Sequence, residues 1–226
     1  MQIKTFILLV VLSIGFVTVS SAQTNYNIRN GIGIGGGLTQ YDIITDNFDT
    51  KKGSGWLIAG AASVDLPHKW YTVSYNIQVS ENKLDISGRE TDDVAGNEPI
   101  EYKVFAAQIG FNFHIKLIDQ NLTIDLGPQL QYNGKLELQD DNQETFFING
   151  YDNLQASDIS DINQFNVNGV AGVSAGFGAF KLRAQYIYGF TNMLNKLNDQ
   201  DLNVGTNASK FEGHQSMITG SVIITF

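Results

Sequence analysis

His214-Gln215-Ser216, with Glu212 just before it, is the stretch whose residue types point most directly to chemistry. Strand side chains repeat with period 2, so His214 and Ser216 share one strand face. In that pairing His214 serves as base and Ser216 as nucleophile, with the Glu212 carboxylate nearby. No oxyanion donors are evident around them. A second candidate is Gly31-Ile32-Gly33-Ile34-Gly35-Gly36, which matches G-x-G-x-x-G. Dinucleotide binding needs a strand before these glycines and a helix after them. Here they fall inside an alternating stretch, so a close-packed strand wall is expected. The chain has 3 histidines (His68, His114 and His214) and no cysteine. No two of the histidines share metal-ligand spacing, so neither a metal nor a cofactor is expected.

Acidic side chains gather in two stretches. Residues 81–100 carry six acids against two bases, and residues 137–163 carry seven acids and no base. Oxygen-rich loops can hold divalent cations, although no EF-hand spacing appears. The expectation is a solvated face, with divalent cations as candidate partners. The formal charge of the whole chain is −9, which argues against nucleic-acid binding.

The elements that must position these residues show in the alternation. Residues 1–22 read as a signal peptide: Lys4, an apolar run, then Ser20-Ser21-Ala22 before the cleavage point. Residues 23–226 then form one all-β domain. Eight segments alternate with period 2: 31–41, 55–66, 69–80, 101–116, 122–136, 164–177, 180–191 and 215–226. In 69–80, Tyr71, Val73, Tyr75, Ile77 and Val79 alternate with Thr72, Ser74, Asn76, Gln78 and Ser80. The last segment sets Val222, Ile224 and Phe226 on its outer face, which gives a terminal aromatic strand able to serve as an assembly signal. Connections are expected to alternate long (42–54, 81–100, 137–163, 192–213) and short (67–68, 117–121, 178–179). This pattern fits an eight-stranded antiparallel transmembrane up-and-down β-barrel. Aromatics near the strand ends form two girdles: Trp56, Tyr132, Tyr188 and Phe190 at one end, and Tyr71, Phe113, Phe177, Phe180 and Phe226 at the other. Pro128 sits mid-strand, and a bulge is expected there.

Four lumen-facing charges fall near one end: Asp65, His114, Asp125 and Arg183. A charge inside a narrow barrel is costly unless paired. Arg183 is therefore expected to bond Asp65, Asp125 or both, closing that mouth.

The alternating stretch Leu122–Leu130, the glycine-rich run Gly31–Gly37 and the terminal Thr225-Phe226 resemble the PorT-like porin-family group of small outer-membrane β-barrels. The resemblance implies an eight-stranded barrel in a Gram-negative outer membrane, with both termini periplasmic. It also implies lipid and lipopolysaccharide around the wall and the barrel-assembly machinery as a partner. The His214/Ser216 pair is similar to that of the lipid A deacylases, which are eight-stranded barrels with a hydrolase site facing the outer leaflet. Three functions stay open at this point. The favoured one is a non-enzymatic structural, adhesion or accessory role with a mostly filled lumen. The others are a narrow channel for small solutes and an outer-leaflet lipid-modifying hydrolase.

Overall fold

The computed structural model describes residues 29–91, 96–205 and 210–226, so the expected signal peptide lies outside the described residues. Eight long strands follow in chain order: β1 (Arg29–Thr45), β2 (Thr50–Asp65), β3 (Tyr71–Arg89), β4 (Glu98–Ile118), β5 (Leu122–Leu138), β7 (Phe165–Phe177), β8 (Phe180–Gly189) and β9 (Gly213–Thr225). A two-residue piece, β6 (Phe147–Ile148), pairs with the end of β3. Each long strand pairs antiparallel with the next, and β9 pairs with β1, so the sheet closes into a ring of eight. Closure leaves no unpaired long edge, as lipid requires.

Period 2 assigns the faces. In the lower part of β3, Tyr75 and Ile77 are each 63% exposed, whereas Ser74 is 2% and Ser80 0% exposed. Ile32, Leu38, Ile58, Ile109, Leu130, Phe165, Leu182 and Val222 also stand outside, and Asn112, Gln129, Asn168, Gln185 and Thr219 are enclosed. A wall that is apolar outside and polar inside is the inverse of a soluble barrel and suits a bilayer. Among the described residues no helix is long and apolar enough to cross a membrane.

The strands run further than the alternation suggested, and beyond a certain level their faces exchange character. Above Val79, the outward positions of β3 become Glu81, Lys83 and Asp85, while the inward Leu84 and Ile86 are 0% and 1% exposed. β4 changes at the same level. Glu101 and Lys103 point out, and Ile100, Tyr102 and Val104 point in, paired across from β3. The part above this level is built like a water-soluble barrel, polar outside and apolar inside.

This overturns the expected loop plan. Residues 42–54 are mostly strand, and the link between β1 and β2 is only 46–49. It is shorter than the link 66–70 at the opposite end, so a strict long–short alternation does not hold. The reason is the change of face: the period continues, but its polarity reverses. The segments 139–164, 190–205 and 210–212 are not merely solvated either. They fold inward over the mouth, and Leu154, Ile159, Ile162, Leu194 and Leu197 join Tyr41, Ile43, Leu84 and Tyr102 in one core. The exposed acids Asp140, Asp141 and Glu144 precede the anchors Leu154, Ile159 and Ile162 in the same segment.

Pro128 also departs from expectation. The β4–β5 register is the same on both sides of it (Phe113↔Leu126 and Gly110↔Gln129), so there is no bulge. Gly127 and Pro128 drop out of the ladder with β4 but stay aligned with β7. The glycine run of β1 lies against β9, where a Cβ on Gly35 or Gly37 would overlap a carbonyl oxygen of β9. Its glycines thus permit close strand approach within the wall. At the two-residue turn between β7 and β8, Gly178 takes φ +62, which glycine adopts without strain.

Candidate functional site

The lumen is layered along its axis. The end where β1 begins and β9 stops holds ionic groups, the middle holds amides, and the far end holds the apolar core. In the middle layer, Gln108 Nε2 donates to Ser80 Oγ at 3.1 Å, and Asn168 Nδ2 donates to Gln131 Oε1 at 2.8 Å. Gln131 also bonds Asn133 at 2.6 Å and reaches Gln215 across the barrel. Amides can donate and accept at once, which suits a polar lumen, although Asn76, Gln78, Asn112 and Gln185 each keep at least one buried polar atom with no protein partner.

The ionic layer is built by cross-strand pairing. His114 on β4 stands opposite Asp125 on β5 and opposite Thr72 on β3. His114 Nδ1 lies 2.6 Å from Asp125 Oδ1, and its Nε2 lies 2.7 Å from Ser74 Oγ. The Thr123 hydroxyl donates to Asp125 Oδ1 at 2.7 Å, and the Ser174 hydroxyl donates to Oδ2. Arg183 Nε donates to Ser174 Oγ at 3.1 Å and sits 3.5 Å from Asp125 Oδ2. Asp125 is 0% exposed, so these contacts replace its hydration entirely.

Asp65 belongs to a second cluster. Its carboxylate pairs with Lys116 Nζ at 2.6 Å and accepts the Thr72 hydroxyl at 2.9 Å and an amide hydrogen of Gln120. Of the four charges singled out in the sequence, the structure gathers His114, Asp125 and Arg183 around one carboxylate, while Asp65 takes Lys116 as its partner. A cavity of about 60 Å³ separates the clusters and is lined by Asp65, Ser74, His114, Lys181 and Arg183 among others. Sequence reasoning missed Ser74, Lys116, Thr123 and Ser174. The signal was available for all four, which share the inward parity of the named charges; Lys116 lies two residues beyond His114 on the same strand.

His214 and Ser216 lie on the outer face of β9. His214 stacks on Tyr188 with ring centroids 5.8 Å apart, and its Nδ1 sits 3.0 Å from the Gly189 carbonyl. Its Nε2 faces Glu212 at 3.6 Å. The Ser216 hydroxyl donates to the Tyr186 hydroxyl at 3.3 Å rather than to His214. Val222, Ile224 and Phe226 point outward, and the Phe226 amide donates to the Ile32 carbonyl at 2.8 Å. Among the described residues no group of three or more acidic or histidine side chains is placed to hold a metal ion.

No family model matches the chain. No curated protein matches it either. Two solved structures are similar in shape. One is Neisserial surface protein A (NspA), with 10% identity over 86% of this chain and 97% of that one, and a TM-score of 0.48. The other is Ail, the attachment invasion locus protein of Yersinia pestis, solved in complex with the heparin analogue sucrose octasulfate. It has 12% identity over 88% of this chain and 99% of that one, and a TM-score of 0.45.

Proposed function

We propose that this chain is an integral outer-membrane barrel with a structural, adhesion or accessory role, whose lumen conducts no bulk solute. The reading rests on the apolar core that seals the loop end. There Leu154, Ile159 and Ile162, each 0% exposed, fill the mouth from above while Leu84 and Ile100 fill it from the wall. An eight-stranded barrel is only just wide enough for its own side chains, and here those side chains meet across the axis. The loop end faces outside in this reading, and both termini face the periplasm, where the barrel-assembly machinery meets the last strand. Lipid and lipopolysaccharide surround the wall, and divalent cations gather at the acidic outer segments. The PorT-like resemblance of Leu122–Leu130 and Gly31–Gly37 is the family assignment this reading adopts.

Planar-bilayer recording tests it. The folded protein should show no long-lived conductance steps at moderate voltage. Large stable steps from single barrels would overturn the sealed-lumen reading.

A further inference from the structure

We propose that Ser74 is an activated nucleophile and that the cavity at the terminal mouth accepts small acyl esters. The inference goes beyond the structural role above and does not depend on it. Three adjacent strands bring the groups together. His114 on β4 is cross-strand to Asp125 on β5 and lies one inward step from Ser74 on β3. The hydrogen-bond order is fixed by the acid. Asp125 already accepts the Thr123 and Ser174 hydroxyls and lies beside the Arg183 guanidinium. A carboxylate in that setting can only accept, so His114 must carry its proton on Nδ1, which sits 2.6 Å away. Nε2 then presents its lone pair to Ser74 Oγ at 2.7 Å. Hydroxyl to base, and base to an orienting carboxylate, is the connectivity that activates serine for acyl transfer.

The second observation is the space beside the hydroxyl. Ser74 and His114 line the cavity of about 60 Å³, and so do Lys181 and Arg183. β8 lies four strands from β3 in the ring of eight, so the two cations stand on the opposite wall. Positive charge there stabilises an oxyanion developing between the walls. The volume suits an acetyl-sized group, with a larger leaving group held outside at the mouth. In the reaction, Ser74 Oγ bonds the acyl carbon and its proton passes to His114 Nε2. The bond from the acyl carbon to the leaving oxygen then breaks, and that oxygen departs as the alcohol, with the proton from His114, or as the phenolate. Water later adds to the acyl carbon, the bond to Oγ breaks, and Ser74 regains its proton through His114.

The test uses the full-length mature protein folded in detergent and 4-nitrophenyl acetate as the probe. Nitrophenolate release gives the rate, and peptide mass spectrometry locates the acetyl group. The expected result is an acetyl group on Ser74. It should be absent in Ser74→Ala and slowed at least about 100-fold in His114→Gln, the scale of a lost general base. Asp125→Asn should slow it as well. Acetylation confined to lysines would overturn the proposal. So would a Ser74 rate unchanged in a folded His114→Gln protein, with folding checked by heat-modifiable gel mobility. The position of the acetyl group in the native protein, on Ser74 or on lysines, keeps the test decisive even where a variant does not fold.

Discussion

Two carboxylates share the ionic layer, but their partners differ in kind. Asp65 and Lys116 face each other at 2.6 Å, with side chains 9% and 7% exposed. Asp125 meets Arg183 only at 3.5 Å and takes its remaining bonds from hydroxyls and His114. Removing one member of a buried pair costs about 3–5 kcal/mol, less where lumen water reaches it, while removing both leaves no orphan charge. Lys116→Met and Asp65→Asn should therefore each destabilise by more than the double variant's cost divided between them. The coupling in the Asp65/Lys116 cycle should exceed that in the Asp125/Arg183 cycle. Urea unfolding in lipid vesicles measures both, and equal or vanishing couplings would contradict the geometry. Four charges in this layer could be named from parity alone, because inward charges in a narrow barrel are rare. The choice of partner could not, since parity puts Lys116 and Arg183 alike on the inner face but does not say which of them reaches Asp65. Its place is the regular one: Lys116 pairs with Thr123 in the same register as His114 with Asp125, and the β4 shift comes only after it.

At the level of the strand, the reversal of faces explains both what the sequence showed and what it hid. Apolar-out alternation placed all eight long strands. It stopped at Ser80 in β3 and resumed at Glu101 in β4, so that Glu81, Lys83 and Asp85 fell in an expected loop. Those residues keep the outward parity and change only from lipid to water as their medium. Leu84 and Ile86 hold the inward parity and mark the reversal. The folding of 139–164 over the mouth was less accessible, because its anchors follow no fixed period. Tyr102 shows the fit between wall and lid: its hydroxyl is buried and donates to the Ala156 carbonyl at 2.8 Å. Leu84→Ala should cost about 2–5 kcal/mol as a buried cavity. That cost should fall on the lid rather than on the membrane-facing wall. Limited proteolysis should then cut within 139–164 faster than in the native protein, with heat-modifiable gel mobility retained. Loss of that mobility, or unchanged cutting, would show that the two halves are not separable in this way.

For the whole molecule, the two tryptophans mark both edges of the apolar band. Trp56 on β2 pairs across from Glu81, at the level where β3 turns outwardly charged. Trp70 lies in the opposite turn, packed on Tyr71 and Phe113 with centroids 5.3 and 5.5 Å away. Interfacial aromatics of this kind sit at the headgroup level. In single-tryptophan variants, each fluorophore should be quenched more by lipids brominated close to the headgroup than by lipids brominated near the chain ends. Deeper quenching of either one would move the edge of the band. The reversal also bears on how load passes through the molecule. The same β3–β4 ladder runs unbroken from Tyr71↔Ile115 in the wall to Gly88↔Glu98 at the outer rim. Along this ladder no hinge or linker separates the part in lipid from the part in water. A pull on the rim is therefore borne as shear along many parallel backbone bonds, not as peeling one bond at a time. The barrel behaves as a stiff mast stepped in the bilayer, and whatever tugs on its outer end tugs on the membrane itself.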